Sequence, residues 1–134
     1  MACWLLKTEP SAYAWENLVR DKTTVWDGIT NALALMHLRA AAAGDRVLIY
    51  HTGGERRAVG IAKIVKGPRP DTRRANLAVV DLAPVKPLAS PVTLEQIKAD
   101  PAFAGWELLR ISRLSFVPVP EPMWKRILEL SNKK

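Results

Sequence analysis

Residues 46–67 read RVLIYHTGGERRAVGIAKIVKG, and the folding of this stretch decides the architecture around it. RVLIYHT is rich in β-branched and aromatic residues and reads as a buried strand. GGERR is a loop, and AVGIAKIVKG is a second strand. Five residues cannot hold the crossover helix that parallel neighbours need, so the two strands pair directly. Working outward, Pro68 and Pro70 are expected to break the chain, and ANLAVVDLAPV (75–85) reads as a third long strand. TLEQIKAD (93–100) has capping-box spacing from Thr93 to Gln96 and reads as a helix. A turn or short helix is expected at DPAFAGW (100–106), a strand at SRLSFVPV (112–119) and an amphipathic helix at EPMWKRILELS (121–131). Upstream, CWLLK is a first strand, and SAYAWENLVRD (11–21) places Trp15, Leu18 and Val19 on one helical face. A turn at Trp26 precedes a helix from about Asn31 to Ala42, closed by Gly44 and Asp45. The strands mostly lack crossover helices, which disfavours a doubly wound sheet. The expected fold is α+β: a small mixed β-barrel with surrounding helices, in one domain over residues 1–134.

The composition, half apolar and a quarter charged, is that of a soluble globular protein. The apolar runs fall short of the roughly 18 residues of a membrane span, and MACWLLKTEP lacks the basic start and apolar core of a signal peptide. No membrane partner is expected. The single cysteine, Cys3, excludes an internal disulfide framework and a Cys-rich zinc site. A reducing, cytoplasmic location is expected, nucleoid-associated in a bacterium or nuclear in a eukaryote.

The charge is unevenly spread. Arg56, Arg57, Lys63, Lys66, Arg69, Arg73 and Arg74 fall in one stretch whose only acid is Asp71, in a chain of net charge +7. A concentrated basic patch favours polyanions such as nucleic acid, although a solvated face has the same composition. Arg56, Arg57, Arg73 and Arg74 flank two expected strands and are the candidates for tracking a phosphate backbone.

Nothing in the sequence makes a case for catalysis. His37 lies in an apolar helical run and reads as packing or surface, and no H-E-x-x-H spacing supports a metal site. There is no G-x-S-x-G and no Gly-rich phosphate loop. Neither cofactor nor metal is expected. Of five tryptophans, Trp15 and Trp124 fit amphipathic helix faces and Trp4 fits a barrel core. Trp106 is ambiguous. Trp26 stands in a turn beside Asp27 and Gly28, where its ring could stack on a nucleobase or fold over the barrel mouth.

Five segments in order, WLLKTEP (4–10), WDGITN (26–31), GDRVLIYHT (44–52), VGIAKIV (59–65) and SRLSFVPV (112–119), closely resemble the EVE domain family from about Ala2 to Leu130. The resemblance implies a PUA-like barrel, related in architecture to YTH and ASCH domains. It also implies a non-catalytic module that binds DNA or RNA and reads a modified base flipped into a pocket. By motif, Trp26 would be a pocket wall, Gly28 would allow close chain approach, and Asn31 would meet the base edge. Lys7, Thr8 and Glu9 would line the end of the first strand, Tyr50 and His51 another side, and Arg113, Leu114 and Ser115 the last strand.

The chain departs from the family's pattern at Thr30, commonly basic, at Ala32, commonly larger, and at Leu33 and Leu35, often polar. Thr8 replaces a serine and keeps the hydroxyl. The alternative function is a small-molecule protein or enzyme holding a nucleobase-like ligand in the same pocket. The expected state is a monomer whose partner is nucleic acid carrying a modified base.

Overall fold

The computed structural model describes residues 2–111 and 113–132. In chain order its elements are β1 (Cys3–Thr8), α1 (Trp15–Asp21), β2 (Thr24–Trp26), α2 (Ala32–Ala40), β3 (Arg46–His51), β4 (Arg57–Pro70) and β5 (Ala78–Thr93). There follow α3 (Leu94–Ala99), a 3-10 turn (Pro101–Phe103), α4 (Glu107–Arg110), β6 (Phe116–Pro118) and α5 (Glu121–Asn132). The six strands form one mixed sheet in the order β2-β5-β4-β3-β1-β6. Among the described residues only β1 and β3 run parallel; α1, β2 and α2 lie between them in sequence and supply the crossover. The other ladders are antiparallel. The fold is therefore α+β. Its ladders run from β2 to β6 and stop there, whereas a barrel closed by hydrogen bonds needs one more between those ends.

Three expectations are corrected. Pro68 does not break the chain: β4 runs through it and ends at Pro70. β3 pairs with β4 only as far as Lys63, and the turn before β3 bonds Ile64. Past Ile64 that edge of β4 has no ladder partner among the described residues, so a missing N–H there costs nothing. The register with β5 also shifts between Lys66 and Arg69, which leaves Pro68 outside the paired positions. Pro84, Pro87 and Pro91 are tolerated in β5 for the same reason, because β2 covers its outer edge only at Val80–Leu82. Second, Trp26 ends a short edge strand, paired with Val80, and does not sit in a turn. Third, α1 buries Trp15 and Leu18 but leaves Val19 49% exposed.

The core is one cluster joining the sheet to its helices. Trp4 stacks on Phe116 at 5.0 Å, and its indole N–H donates to the buried Asp45 at 2.9 Å. Asp45 also accepts from the backbone N–H groups of Ala2 and Ala42, so both oxygens of this buried carboxyl are hydrogen-bonded. The Trp106 indole donates to the Pro118 carbonyl, and His37 meets Glu107 at 3.0 Å, tying α4 to β6 and α2. Thr93 and Gln96 form the expected capping box of α3.

Candidate functional site

The parallel pair β1–β3 sets up the site, because its register fixes which side chains share a face. Lys7 lies opposite Tyr50, and Thr8 opposite His51. Successive residues of a strand point to opposite faces. The four residues expected around one pocket are thus divided two and two.

On one face, Thr8 and His51 are occupied by the chain that leaves β1. The Thr8 hydroxyl donates to the Tyr13 carbonyl at 2.7 Å. His51, 2% exposed, accepts the Trp15 backbone N–H on Nε2 at 3.0 Å. Its Nδ1–H must then donate to Glu55, 2.9 Å away. That hydrogen bond holds the Glu55 carboxyl below its ordinary pKa. Glu9 accepts from the Ser11 and Thr52 hydroxyls. This face is a hydrogen-bonded clasp on the start of α1.

The clasp carries Tyr13 to Trp26. Their rings meet edge to face, with centroids 5.6 Å apart and planes at 81°. Sequence reading missed Tyr13, which looked like part of a helix. Trp26 is half-buried, and the exposed residues Asp27, Gly28, Thr30 and Asn31 follow it in sequence. Gly28 has φ +80, and a Cβ there would meet nothing within 4 Å. It serves a left-handed turn. Asn31 caps α2: its Oδ1 accepts from the N–H groups of Leu33 and Ala34, each at 3.0 Å. Arg73, in the β4–β5 loop, reaches Asp27 at 3.0 Å.

On the opposite face, Lys7 and Tyr50 line a cavity of about 290 Å³ with Arg56, Leu94, Lys98 and Leu108. Burial lowers the Lys7 pKa and raises that of Tyr50. Lys98 and Leu94 were not legible as site residues, since only the fold brings α3 to the end of β3. Leu114 is fully buried in the core, so its side chain is not on the surface. The Ser115 carbonyl accepts the Lys7 N–H at 2.8 Å, and Arg113 stands exposed two residues away. The four candidate arginines form two pairs. Arg56 and Arg57 lie at the start of β4, where Arg57 bonds Glu55, and Arg73 and Arg74 lie past its end. Cys3 and His51 sit at opposite ends of the β1–β3 ladder, about 16 Å apart along the strand, too far for a thiol–imidazole pair.

Among the described residues, no three of His, Cys, Asp and Glu come together as a metal-binding group, and no helix is long and apolar enough to cross a membrane. The chain resembles proteins of known structure over its whole length. A Rhodopseudomonas palustris protein solved by NMR is 37% identical, with a TM-score of 0.92 over 98% of this chain and 93% of that one. Human THYN1, solved in complex with DNA containing 5-methylcytosine, is 24% identical with a TM-score of 0.93 over 100% of this chain and 99% of that one. At that identity the likeness carries the fold alone. Thymocyte nuclear protein 1 of Gallus gallus is 38% identical over 80 residues, covering 51% of this chain and only 33% of that protein. The EVE domain pattern matches residues 2–130. With that span and these folds in agreement, the chain belongs to the EVE domain family.

Proposed function

We propose that this chain is a non-catalytic module that binds nucleic acid and takes a modified base, such as a methylated or hydroxymethylated cytosine, against Trp26. The observation that carries this reading is the setting of the Trp26 ring: half-buried, braced edge-on by Tyr13, and followed by an exposed polar turn. A braced aromatic plane can stack on an extruded base, contributing about 1–3 kcal/mol. That offsets the few kcal/mol needed to unstack the base. The THYN1 complex supports the reading, since a protein of the same fold is seen there with methylated DNA. We also read the sheet as a PUA-like barrel left open between β2 and β6.

Asn31 narrows the chemistry. Its Oδ1 serves the helix, so towards a base it offers only its amide N–H groups, which suit an acceptor such as the hydroxyl oxygen of 5-hydroxymethylcytosine. Fluorescence anisotropy with matched oligonucleotides carrying cytosine, 5-methylcytosine or 5-hydroxymethylcytosine tests the proposal. One modified strand should bind tightest, and Trp26→Ala should weaken all three by roughly 5- to 150-fold, the equivalent of the lost stacking. Equal binding of the three strands, unmoved by Trp26→Ala in a variant that still folds, would falsify it.

A further inference from the structure

The β1–β3 pair has a second face, and its cavity is of a different kind from the Trp26 setting. Lys7 enters it from β1, Arg56 from the turn before β4, and Lys98 from α3. Tyr50, Leu94 and Leu108 supply an apolar wall, and the described lining residues include no carboxylate. We propose that this cavity is a second binding site, for a phosphomonoester carried on a small apolar or aromatic body, independent of Trp26.

Local structure places two of the cations together. Arg56 adopts φ +46, a left-handed conformation that a residue with a Cβ adopts at a cost. Its carbonyl accepts the Leu94 N–H at 2.8 Å, which joins this turn to the start of α3. Leu94 and Lys98 are four residues apart and share one helical face. The strained turn and the helix therefore present Arg56, Leu94 and Lys98 as a unit. An adjoining hollow of about 370 Å³ shares these three residues and adds Glu55 and Glu95. Glu55 is engaged by His51 and Arg57. Glu9, whose carboxylate lies against Gly53 at the cavity edge, is engaged by the Ser11 and Thr52 hydroxyls. Of these carboxylates, Glu95 is the opposing charge on that rim without such a partner.

Arg56 and Lys98 bring two positive charges to one cavity mouth, and an anion placed between them is attracted to both. A monoester dianion matches this charge better than the single charge of an internal phosphodiester. Burial already disfavours the charged form of Lys7, and a bound anion would reverse that. At about 290 Å³ the cavity lies near the small end of the range for small-molecule sites, where an apolar wall holds the body and a few polar groups fix orientation. Two sources share this chemistry, a free mononucleotide and the 5′-phosphate of a strand end.

The probes are inorganic phosphate, cytidine and cytidine 5′-monophosphate, titrated into the intact chain by NMR and calorimetry. The monophosphate should bind more tightly than phosphate or cytidine and shift Lys7, Tyr50 and Leu94 resonances. Lys98→Ala and Arg56→Gly should each weaken it at least tenfold, whereas Trp26→Ala should leave it unchanged. Glycine accepts the positive φ at 56 without strain, so Arg56→Gly removes the cation from a fold that persists. A strand with a 5′-phosphate is then compared with the same strand ending in a hydroxyl. A preference that Lys98→Ala abolishes identifies the strand end as ligand, and no preference identifies the free ester. Monophosphate binding that is absent, indifferent to both cation variants, or abolished by Trp26→Ala overturns the proposal.

Discussion

Asn31 does two jobs that substitutions can separate. Its Oδ1 closes the first turn of α2 through two hydrogen bonds, and in the proposed function its amide meets a base. Asn31→Ala should remove both, costing about 0.5–2 kcal/mol of stability along with base discrimination. Asn31→Asp keeps a capping oxygen and places a negative charge at the helix N-terminus, where it is favourable. It has no N–H left to donate. The aspartate variant should melt at or above the wild-type temperature yet fail to distinguish modified from unmodified strands. Melting curves and anisotropy on the same two proteins decide it; discrimination that survives in Asn31→Asp would reduce Asn31 to a cap.

At the scale of elements, the docking of α1 on the sheet positions the aromatic pair. Trp15 at the start of α1 lies so close to β4 that a Cβ on Gly60 would fall 2.6 Å from its ring. His51 holds the same turn through the Trp15 N–H. Tyr13, two residues earlier, braces Trp26. Gly60→Ala should force the indole off the sheet, a steric change costing about 1–3 kcal/mol. Thermal unfolding should show a fall of several degrees, and Trp15→Leu in the same chain should recover part of it. A Gly60→Ala protein that melts like the wild type would mean that α1 is not packed as tightly as this.

Across the whole molecule, the charge acts through where the sheet carries it. Arg73 reaches Asp27 beside Trp26, while Arg56 and Arg57 sit at the other end of β4. The Arg73–Asp27 pair is exposed, so a phosphate can exchange with it at little cost. A strand engaged at Trp26 should therefore lean on Arg73 and Arg74. Neutralising those two should lower the slope of log affinity against log salt by about 1.4–1.8, and neutralising Arg56 and Arg57 should change it little. Titrations at several salt concentrations give both slopes. Equal losses would mean that the strand runs the length of β4.

Local order was legible because it rests on local physics. The apolar runs, the Gly-rich loop at 53–54 and the Thr93–Gln96 box announce strands and helices through side-chain period and capping, which act over a few residues. The five ordered segments likewise carried the family. The strand proline at 68 was misread because a proline is tolerated only where a strand lies at an edge, and edges exist only once strands have partners. The division of Lys7, Thr8, Tyr50 and His51 between two faces was not read either. Adjacency in sequence means opposite faces in a strand, and the register of β1 on β3 is a long-range fact. Tyr13 against Trp26, and Lys98 beside Lys7, are products of the same kind. The sequence by itself determined most of the strands and helices, the basic stretch and Trp26 as an aromatic residue off any periodic apolar face. Tertiary structure alone decided which of these residues meet, because faces and edges arise only when strands pair.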